Sequence, residues 1–183
     1  MPKVLLPLAQ GFEEIELVSI ADVLKRGGVE VTLASLHTSL EVRGAHHIII
    51  KADELLENLN SSNFDAIALH GGMEGVQNML NSPALLQMLQ DFFTQKKIIG
   101  AICAAPIVLD KLKLLSEDFC CYPGCEQMMQ NTSSKRLDLP FKNAGQIITA
   151  TGPAFAMSFG LEMLRVLAGE EKFLQIKNQL LLS

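Results

Sequence analysis

The chain has 183 residues, of which 49% are hydrophobic, and a formal net charge of −5 at pH 7. This length and apolar content allow a full hydrophobic core, so we expect a single domain over residues 1–183. Lysines and arginines are scattered, which argues against a surface for nucleic acid or an anionic membrane. Charges interrupt the apolar runs well before the roughly 18 residues of a membrane-spanning helix. Nothing in the sequence directs the chain out of the cytoplasm.

In that compartment the four cysteines are expected to be reduced thiols rather than disulfides. Cys103 stands alone, and the other three are Cys120, Cys121 and Cys125. Their spacing fits no common zinc pattern, and no histidine lies near them in the sequence. We therefore expect neither a metal nor a cofactor.

Strand and helix patterns alternate in the first half of the chain. They predict a buried strand in KVLLPLA (3–9), a helix over 13–26 ended by a glycine pair, and a strand in VEVTLASL (29–36). The segment LEVRGAHHIIIKAD (40–53) is rich in β-forming residues but broken by Gly44, which favours a hairpin or bent edge strands. His46 and His47 in this segment are expected at the surface or an interface.

The second half continues the alternation. Strands are predicted in FDAIALHGG (64–72), KIIGAIC (97–103), FCCYPG (119–124) and QIITATG (146–152). Helices are predicted over 83–95 with Ser82 as N-cap, over 105–115, over 153–167 opened by Pro153, and over 172–182. Such alternation indicates an α/β fold with a mostly parallel sheet covered on both faces. Ligands bind at the carboxyl ends of such strands, which points to the turns at 10–11, 70–72, 103–105 and 151–153.

Cys103 lies at a predicted strand-to-helix junction. A side chain at such a turn stands above the sheet at the amino end of a helix, where the partial positive charge favours a thiolate. A tight turn crowds the backbone and needs small neighbours, which Gly100, Ala101, Ala104 and Ala105 supply. The pattern therefore favours a nucleophile elbow with sulfur as the nucleophile, and a buried structural cysteine is the alternative.

Two further features lie beside predicted turns. Glu13 and Glu14 are expected to be solvated acids at a helix start, whereas Glu16, among apolar neighbours, is a candidate buried carboxyl with a raised pKa. Gly71 and Gly72 allow a backbone turn that presents N–H groups to a ligand. His70 is either a base or a packed residue. Neither GxGxxG nor GxxxxGK[ST] is present, so no phosphate loop is predicted.

Taken together, these segments resemble the DJ-1/ThiJ/PfpI superfamily over nearly the whole chain. The similarity is carried by GFEEIE (11–16), LKRGGVEVTLAS (24–35), DAIALHGGMEGVQNML (65–80), AICAAP (101–106) and TATGPAFAMSFGLEML (149–164). It is strongest to the small single-domain branch that holds the Parkinson-disease protein deglycase and its bacterial relatives. The resemblance implies a flavodoxin-like three-layer α/β/α sandwich and a homodimer.

The resemblance also implies roles for individual residues. Cys103 matches the oxidation-sensitive nucleophile, Glu16 matches the acid that hydrogen-bonds it, and Gly72 matches the turn that offers N–H groups. Ala104 is expected to supply a second backbone donor. Arg26 and Arg43 match segments that pair subunits.

The sequence departs from the family pattern at three places. Ala104 stands where the protease-like branch has a histidine, Tyr122 stands where deglycases have a pocket histidine, and His70 replaces a proline. A Cys–His dyad is therefore not visible, although His70 or Tyr122 remains a candidate auxiliary residue. Without an imidazole, Glu16 is the expected proton carrier.

Two functions follow from the resemblance. The first is an enzyme acting on small reactive α-oxoaldehydes or glycated adducts, of the glyoxalase or deglycase type. The second is a redox-sensing or chaperone-like protein in which Cys103 oxidises to a sulfinate stabilised by Glu16. Peptidase activity and thiazole monophosphate synthesis are also attached to the superfamily, but this sequence gives little for either.

Overall fold

The computed structural model describes residues 1–182. The strands are β1 Lys3–Leu8, β2 Glu30–Ser35, β3 Glu41–Arg43, β4 Ile49–Lys51, β5 Glu54–Leu55, β6 Ala66–Leu69, β7 Ile98–Ile102, β8 Phe141–Ala144 and β9 Ile147–Ala150. The helices are α1 Glu14–Arg26, α2 Met73–Leu80, α3 Pro83–Thr94, α4 Pro106–Lys111, α5 Ala156–Ala168 and α6 Glu170–Gln179.

Seven strands form one sheet in the order β5-β2-β1-β6-β7-β9-β8. All neighbouring pairs are parallel except β8 with β9. In the centre, Val4 of β1 pairs with Val31 of β2 on one side and with Ala66 of β6 on the other. The carboxyl ends of β1, β6 and β7 therefore lie side by side, as the sequence predicted for the site.

Alternate residues of β1 point into two separate cores. Leu5 belongs to the core against α2, α3 and α4, whereas Val4 and Leu6 belong to the core against α1, α5 and α6. Period-two side-chain alternation explains this division, because both faces of the sheet are covered. The predicted α/β class, with helices on both sides of a mostly parallel sheet, is confirmed.

The predicted strand over 119–124 is wrong. Phe119 makes only an isolated bridge, and the free edge of β9 pairs instead with β8. Cys120 donates its N–H to the hydroxyl of Thr149 at 2.9 Å rather than to a strand backbone. Because β8 already occupies the sheet edge, this segment passes over the end of the sheet as irregular chain.

Several helix bounds also differ from the prediction. Helix α4 ends at Lys111 rather than 115, because Lys113 adopts a left-handed φ of 60°. Pro153 opens a short 3₁₀ turn, and α5 begins only at Ala156. Helix α2 was not predicted, because the glycine pair before it indicates a turn and the helix has only eight residues. The predicted N-cap of α3 is confirmed, with the Ser82 side chain accepting the N–H of Leu85 at 3.3 Å.

The predicted hairpin is confirmed as β3 and β4, and Glu14 fastens its turn to α1. Glu14 is 6% exposed, accepts the N–H of His46 at 2.8 Å, and lies 2.9 Å from its ring Nδ1. Burial raises the pKa of Glu14, but hydrogen bonds from His46 and Ile48 outweigh burial and hold the pKa below its ordinary value. The expectation that Glu14 is solvated is therefore wrong.

Candidate active site

The junction after β7 takes the sharp form that the sequence predicted. Cys103 has a φ of 64°, a left-handed conformation that non-glycine residues rarely adopt. Its N–H donates to the carbonyl of Ala150 at 2.9 Å, and its carbonyl accepts the N–H of Tyr122 at 2.8 Å. The surrounding backbone therefore holds a strained residue in place, as at a nucleophile elbow. Cys103 is 9% exposed, so it is nearly buried but not sealed from solvent.

Small residues surround Cys103 for two different reasons. Ala104 and Ala105 form the turn itself and are buried. Gly100 lies earlier, within β7, where a Cβ would come 2.7 Å from the ring of Phe159 and 2.8 Å from the sulfur of Met163. Gly100 is thus required by the close approach of α5 to the sheet, not by the turn as the sequence suggested.

Glu16 reaches the elbow from the first turn of α1. Its side chain is fully buried, and Oε2 accepts the N–H of Gly71 at 2.6 Å. The other carboxyl oxygen, Oε1, has no backbone donor, and the thiol of Cys103 is the polar group beside the carboxyl. The structure therefore brings together the two residues that the sequence singled out as nucleophile and proton carrier.

Gly71 is a site residue whose role the sequence analysis did not identify. A Cβ on Gly71 would lie 2.6 Å from the Cβ of Cys103, 2.9 Å from its sulfur, and 2.7 Å from Oε2 of Glu16. Any larger residue would therefore separate or displace the thiol and the carboxyl. The signal in the sequence was the glycine pair at the end of β6, which identified the turn but not which glycine faces Cys103.

The thiol and the carboxyl share one buried environment. Burial raises the pKa of Glu16 to about 7, against the lowering effect of the Gly71 hydrogen bond. Burial also raises the pKa of Cys103, the charge of Glu16 raises it further, and the Ala104 N–H lowers it. Burial outweighs the expected helix-end field, since α4 has only six residues. Because two negative charges here are disfavoured, a thiolate at Cys103 requires a protonated Glu16.

The two predicted backbone donors flank the elbow. Gly72 has a φ of 85°, and a Cβ there would clash with the carbonyl oxygen of Gly11. Each glycine of the pair is therefore needed for its own reason: Gly71 leaves room for the thiol, and Gly72 allows the backbone turn. Ala104 directly follows Cys103, and its N–H interacts with the sulfur.

His70 is a packed residue in this structure. It is 1% exposed, its Nδ1 lies 2.7 Å from the carbonyl of Gly71, and its ring packs edge-on against Phe12 with centroids 5.8 Å apart. Burial lowers the pKa of His70 to about 4, so the ring is neutral at physiological pH. Its hydrogen bond holds the glycine turn, and within residues 1–182 it makes none to Cys103.

Tyr122, the other auxiliary candidate, borders the elbow from the opposite side. Its backbone is bonded to Cys103, and its ring lies over Gly152, where a Cβ would come 3.3 Å from Cδ2. The side chain is half exposed. Among residues 1–182, its hydroxyl makes no hydrogen bond to Cys103.

Arg26 and Arg43 lie outside this cluster. Arg26, at the end of α1, pairs with Asp22 at 2.6 Å. Arg43 is exposed on β3, and its carbonyl accepts the N–H of Gly11 at 2.8 Å. Both are surface residues of the single chain.

Within residues 1–182, one group combines donor types suited to a metal ion, namely Glu13, Glu14 and His46. The hydrogen bonds of Glu14 already explain this group as the fastening of the hairpin to α1. In the same part of the chain, no helix has the length and apolar character needed to cross a membrane. The largest of the best-formed pockets, of about 360 Å³, lies beside Leu36, His37 and Leu55, away from Cys103.

Known proteins resemble this chain over nearly its whole length. The model of the DJ-1/PfpI family matches residues 2–166. Protein dj-1beta of Drosophila melanogaster is 34% identical over 177 residues, covering 96% of this chain and 95% of the relative. A Caenorhabditis elegans relative named glutathione-independent glyoxalase DJR-1.2 is 32% identical over 169 residues, which cover 92% of this chain and 89% of the relative. Against DJ-1 homologues A and B of Arabidopsis thaliana, the chain spans only 46% and 40% of their lengths.

Solved structures show the same fold. The oxidized DJ-1 of Toxoplasma gondii superposes with a TM-score of 0.94 at 36% identity, with all of both chains covered. DJ-1beta of Drosophila melanogaster superposes with a TM-score of 0.95 at 33% identity, covering 100% of this chain and 98% of the other.

Proposed function

The chain belongs to the DJ-1/PfpI family, and from that premise we propose that it is a cysteine-dependent enzyme acting on small α-oxoaldehydes, of the glyoxalase or deglycase type. The observation that carries the proposal is the closeness of the nearly buried thiol of Cys103 to the carboxyl of Glu16. The sulfur and Oε2 lie 2.9 Å and 2.7 Å from the position that a Cβ on Gly71 would take, and burial raises the pKa of Glu16 to about 7. A group with that pKa can both accept and donate a proton near neutrality. The worm relative named as a glyoxalase gives the substrate class.

In the proposed reaction, Glu16 takes the proton of Cys103 and the thiolate attacks the aldehyde carbon, forming a hemithioacetal. The N–H groups of Gly72 and Ala104 receive the developing oxyanion. Glu16 returns its proton to that oxygen and is a carboxylate again. It then moves the proton of the former aldehyde carbon to the adjacent carbon, while the hydroxyl proton passes to the neighbouring oxygen, which gives a thioester. Water hydrolyses the thioester to a 2-hydroxy acid and releases the thiol, so no external oxidant or cofactor is consumed.

The test is conversion of methylglyoxal to lactate by the full chain without added glutathione. Wild type is expected to turn over, and Cys103→Ser is expected to fall to the uncatalysed rate. Cys120→Ser is the matched control, because Cys120 is a fully buried thiol outside the elbow, whose backbone N–H donates to the hydroxyl of Thr149. Equal activity in Cys103→Ser and wild type, or none in wild type, would overturn the proposal.

A second candidate function is redox sensing through the same thiol. A sulfinate at Cys103 would place oxygen atoms beside Glu16, and a protonated carboxyl can donate to them. The raised pKa of Glu16 favours this candidate, since it keeps a proton available near pH 7. Peptidase chemistry has less support, because His70 is bonded to Gly71 and Ala104 follows the nucleophile.

We further propose that two copies pair through α1 and the hairpin. Ile15 and Val18 on α1, and Ile48 and Ile49 at the hairpin, are large apolar side chains exposed by more than half. Glu14 accepts the N–H groups of His46 and Ile48, which holds α1 next to the hairpin, so these apolar residues lie on adjoining elements. Such a face suits a symmetric contact between two copies. The chemistry also requires reduced Cys103, as in the cytoplasm.

A further inference from the structure

One carbonyl in the glycine turn is held by two hydrogen bonds. The carbonyl oxygen of Gly71 lies 2.7 Å from Nδ1 of His70 and accepts the N–H of Glu13 at 3.1 Å. Because a carbonyl oxygen only accepts, the neutral His70 ring must carry its proton on Nδ1 and donate it. The ring is buried and packs edge-on against Phe12, which fixes its orientation. His70 and Glu13 together therefore set the direction of the Gly71 carbonyl.

The same peptide unit carries the N–H of Gly72. No peptide bond in residues 1–182 is cis, so the Gly71 carbonyl and the Gly72 N–H lie in one plane and point in opposite directions. Within the same residues, no backbone carbonyl accepts the Gly72 N–H. This N–H is one of the two donors that the proposed reaction uses for the oxyanion. A side chain that fixes the carbonyl therefore also fixes the direction of this donor.

A peptide between two glycines needs such a restraint. Neither Gly71 nor Gly72 has a Cβ, so the plane of their shared peptide can turn at little steric cost. The preceding peptide is held separately, because Gly71 donates its N–H to Oε2 of Glu16 at 2.6 Å. Without His70, the Gly71 carbonyl would keep only the longer bond from Glu13. Rotation of the shared peptide would then turn the Gly72 N–H away while leaving the carboxyl of Glu16 in place.

Packing alone does not explain a histidine at this position. The Nε2 atom of His70 is buried and makes no hydrogen bond within residues 1–182. An unpartnered buried polar atom destabilises the folded chain, and an apolar side chain would avoid that cost. In the family pattern a proline stands here, and its ring restricts the backbone directly. In this chain the restraint comes instead from the hydrogen bond that Nδ1 donates.

We propose that His70 is a positioning residue for the Gly72 N–H, which it holds toward the oxyanion through its hydrogen bond to the Gly71 carbonyl. His70 makes no hydrogen bond to Cys103 and moves no proton in the reaction. Burial lowers the pKa of His70 to about 4, so the ring keeps the same donor over the pH range in which Glu16 titrates. This inference rests on the proposed carbonyl reaction, because that reaction forms the oxyanion.

The test compares three substitutions of His70 in the full chain. His70→Leu removes the donor. His70→Asn keeps an amide N–H at the level of Nδ1, whereas the amide of His70→Gln lies one bond further from the backbone, at the level of Nε2. We measure kcat and KM for methylglyoxal in each variant and in wild type.

The loss is expected in kcat, because an oxyanion donor acts in the transition state. Removing such a donor costs about 10²- to 10³-fold, and the Glu13 bond to the carbonyl remains, so we expect a fall of about 10- to 100-fold in His70→Leu and His70→Gln. KM is expected to stay within a few-fold. His70→Asn is expected to retain a kcat within a few-fold of the wild-type value.

Alkylation of Cys103 separates this role from a general loss of structure. Iodoacetamide reacts with the thiolate by displacement of iodide and forms no oxyanion. We therefore expect the alkylation rate of Cys103 to be the same in wild type and in all three variants, with urea unfolding as the check that each is folded. A parallel loss of alkylation and turnover in His70→Leu would show a structural role and overturn the proposal.

The remaining outcomes keep this inference apart from the proposed function. If wild type and His70→Leu turn over methylglyoxal equally well, or if His70→Asn is as slow as His70→Leu, the positioning role is wrong and the carbonyl reaction stands. If wild type shows no turnover, the proposed function is wrong and the positioning role falls with it. If His70→Leu does not fold, the two polar variants decide, and equal kcat values in His70→Asn and His70→Gln would overturn the proposal.

Discussion

The elbow and the segment after α4 hold the same kind of residue in different surroundings. Cys103, Cys120, Cys121 and Cys125 are all nearly or fully buried, and burial raises the pKa of each thiol. Only Cys103 has a left-handed φ and a fully buried carboxyl with a pKa near 7 beside it. Cys121 lies next to Glu126, which is partly exposed. What distinguishes Cys103 is therefore the fully buried, protonatable carboxyl beside it, and the proposed reactivity depends on that neighbour.

The largest expected effect comes from removing that neighbour. Glu16→Gln keeps the shape and a hydrogen-bond donor but cannot carry a proton. We expect methylglyoxal turnover to fall by about 10²- to 10⁴-fold, the usual contribution of a general acid–base group.

Glu13→Gln is the matched control for this loss, because it removes a carboxyl three residues away that does not contact Cys103. We expect it to retain turnover within a few-fold of the wild-type rate. If both variants lose activity equally, Glu16 has no special role.

The second prediction concerns how stability depends on pH. The pKa of Glu16 is raised by burial from 4.5 to about 7, so its contribution to stability is present below pH 4.5 and is lost as pH rises through 7. Each pKa unit corresponds to 1.36 kcal/mol, so we expect Glu16→Gln to gain about 3 kcal/mol relative to wild type between pH 4.5 and 7.5. Urea unfolding at each pH measures this difference.

The contribution of His70 to stability is expected to change with pH in the opposite direction to that of Glu16, which provides an internal check. Burial lowers the pKa of His70 from 6.5 to about 4, so its contribution is present above pH 6.5 and is lost as pH falls through 4. His70→Gln is expected to gain stability relative to wild type as the pH falls through this range. Parallel stability curves for wild type and both variants would show that neither group is buried as described.

The third prediction concerns a substitution that would push the thiol of Cys103 and the carboxyl of Glu16 apart. In Gly71→Ala, the new methyl group meets both the sulfur of Cys103 and the carboxyl of Glu16. We expect a loss of about 1–3 kcal/mol in unfolding free energy, the usual effect of overpacking, together with slower alkylation of Cys103. Gly28→Ala is the control, since its φ of 80° makes it strained while nothing lies within 4 Å of its Cβ. Loss of stability without a change in alkylation would argue against the role assigned to Gly71.

The smallest expected effect is on association. If Ile15 is buried between two copies, Ile15→Ala removes apolar contact area in each copy and weakens the dimer by roughly tenfold or more. Sedimentation over a range of protein concentrations measures the dissociation constant of the dimer for wild type and variant. The control is Leu174→Ala, because Leu174 is also exposed but lies on α6. A wild-type chain that is monomeric at micromolar concentration would contradict the proposed pairing.

The sequence was sufficient to predict the elements with strong local signals. The alternation of strands and helices predicted the α/β sheet, and Cys103 between a buried strand and a proline predicted the elbow. Glu16 could be suspected because it interrupts an apolar run. These features depend on neighbours in the chain, where periodicity and turn chemistry act directly.

What the sequence could not show depends on contacts between distant segments. Nothing local indicates that Gly71 rather than Gly72 faces the thiol, since that requires β6, β7 and α1 to meet. The segment at 119–124 has β-forming residues, yet β8 occupies the edge that it would need. The pKa of Cys103 also follows from burial and from Glu16, and those effects outweigh the helix-end field that the local pattern suggested.

If Cys103 and Glu16 share one proton, the pH profile of Cys103 alkylation depends on Glu16. Rates for iodoacetamide at Cys103, followed by peptide mapping, are measured for wild type and Glu16→Gln, with Cys120 in the same protein as reference. We expect the reactivity of wild-type Cys103 to rise with a midpoint near pH 7, where the pair first loses a proton. In Glu16→Gln that step should vanish, and alkylation should rise only at higher pH. Superimposable profiles in the two proteins, or a wild-type profile like that of Cys120, would contradict the account.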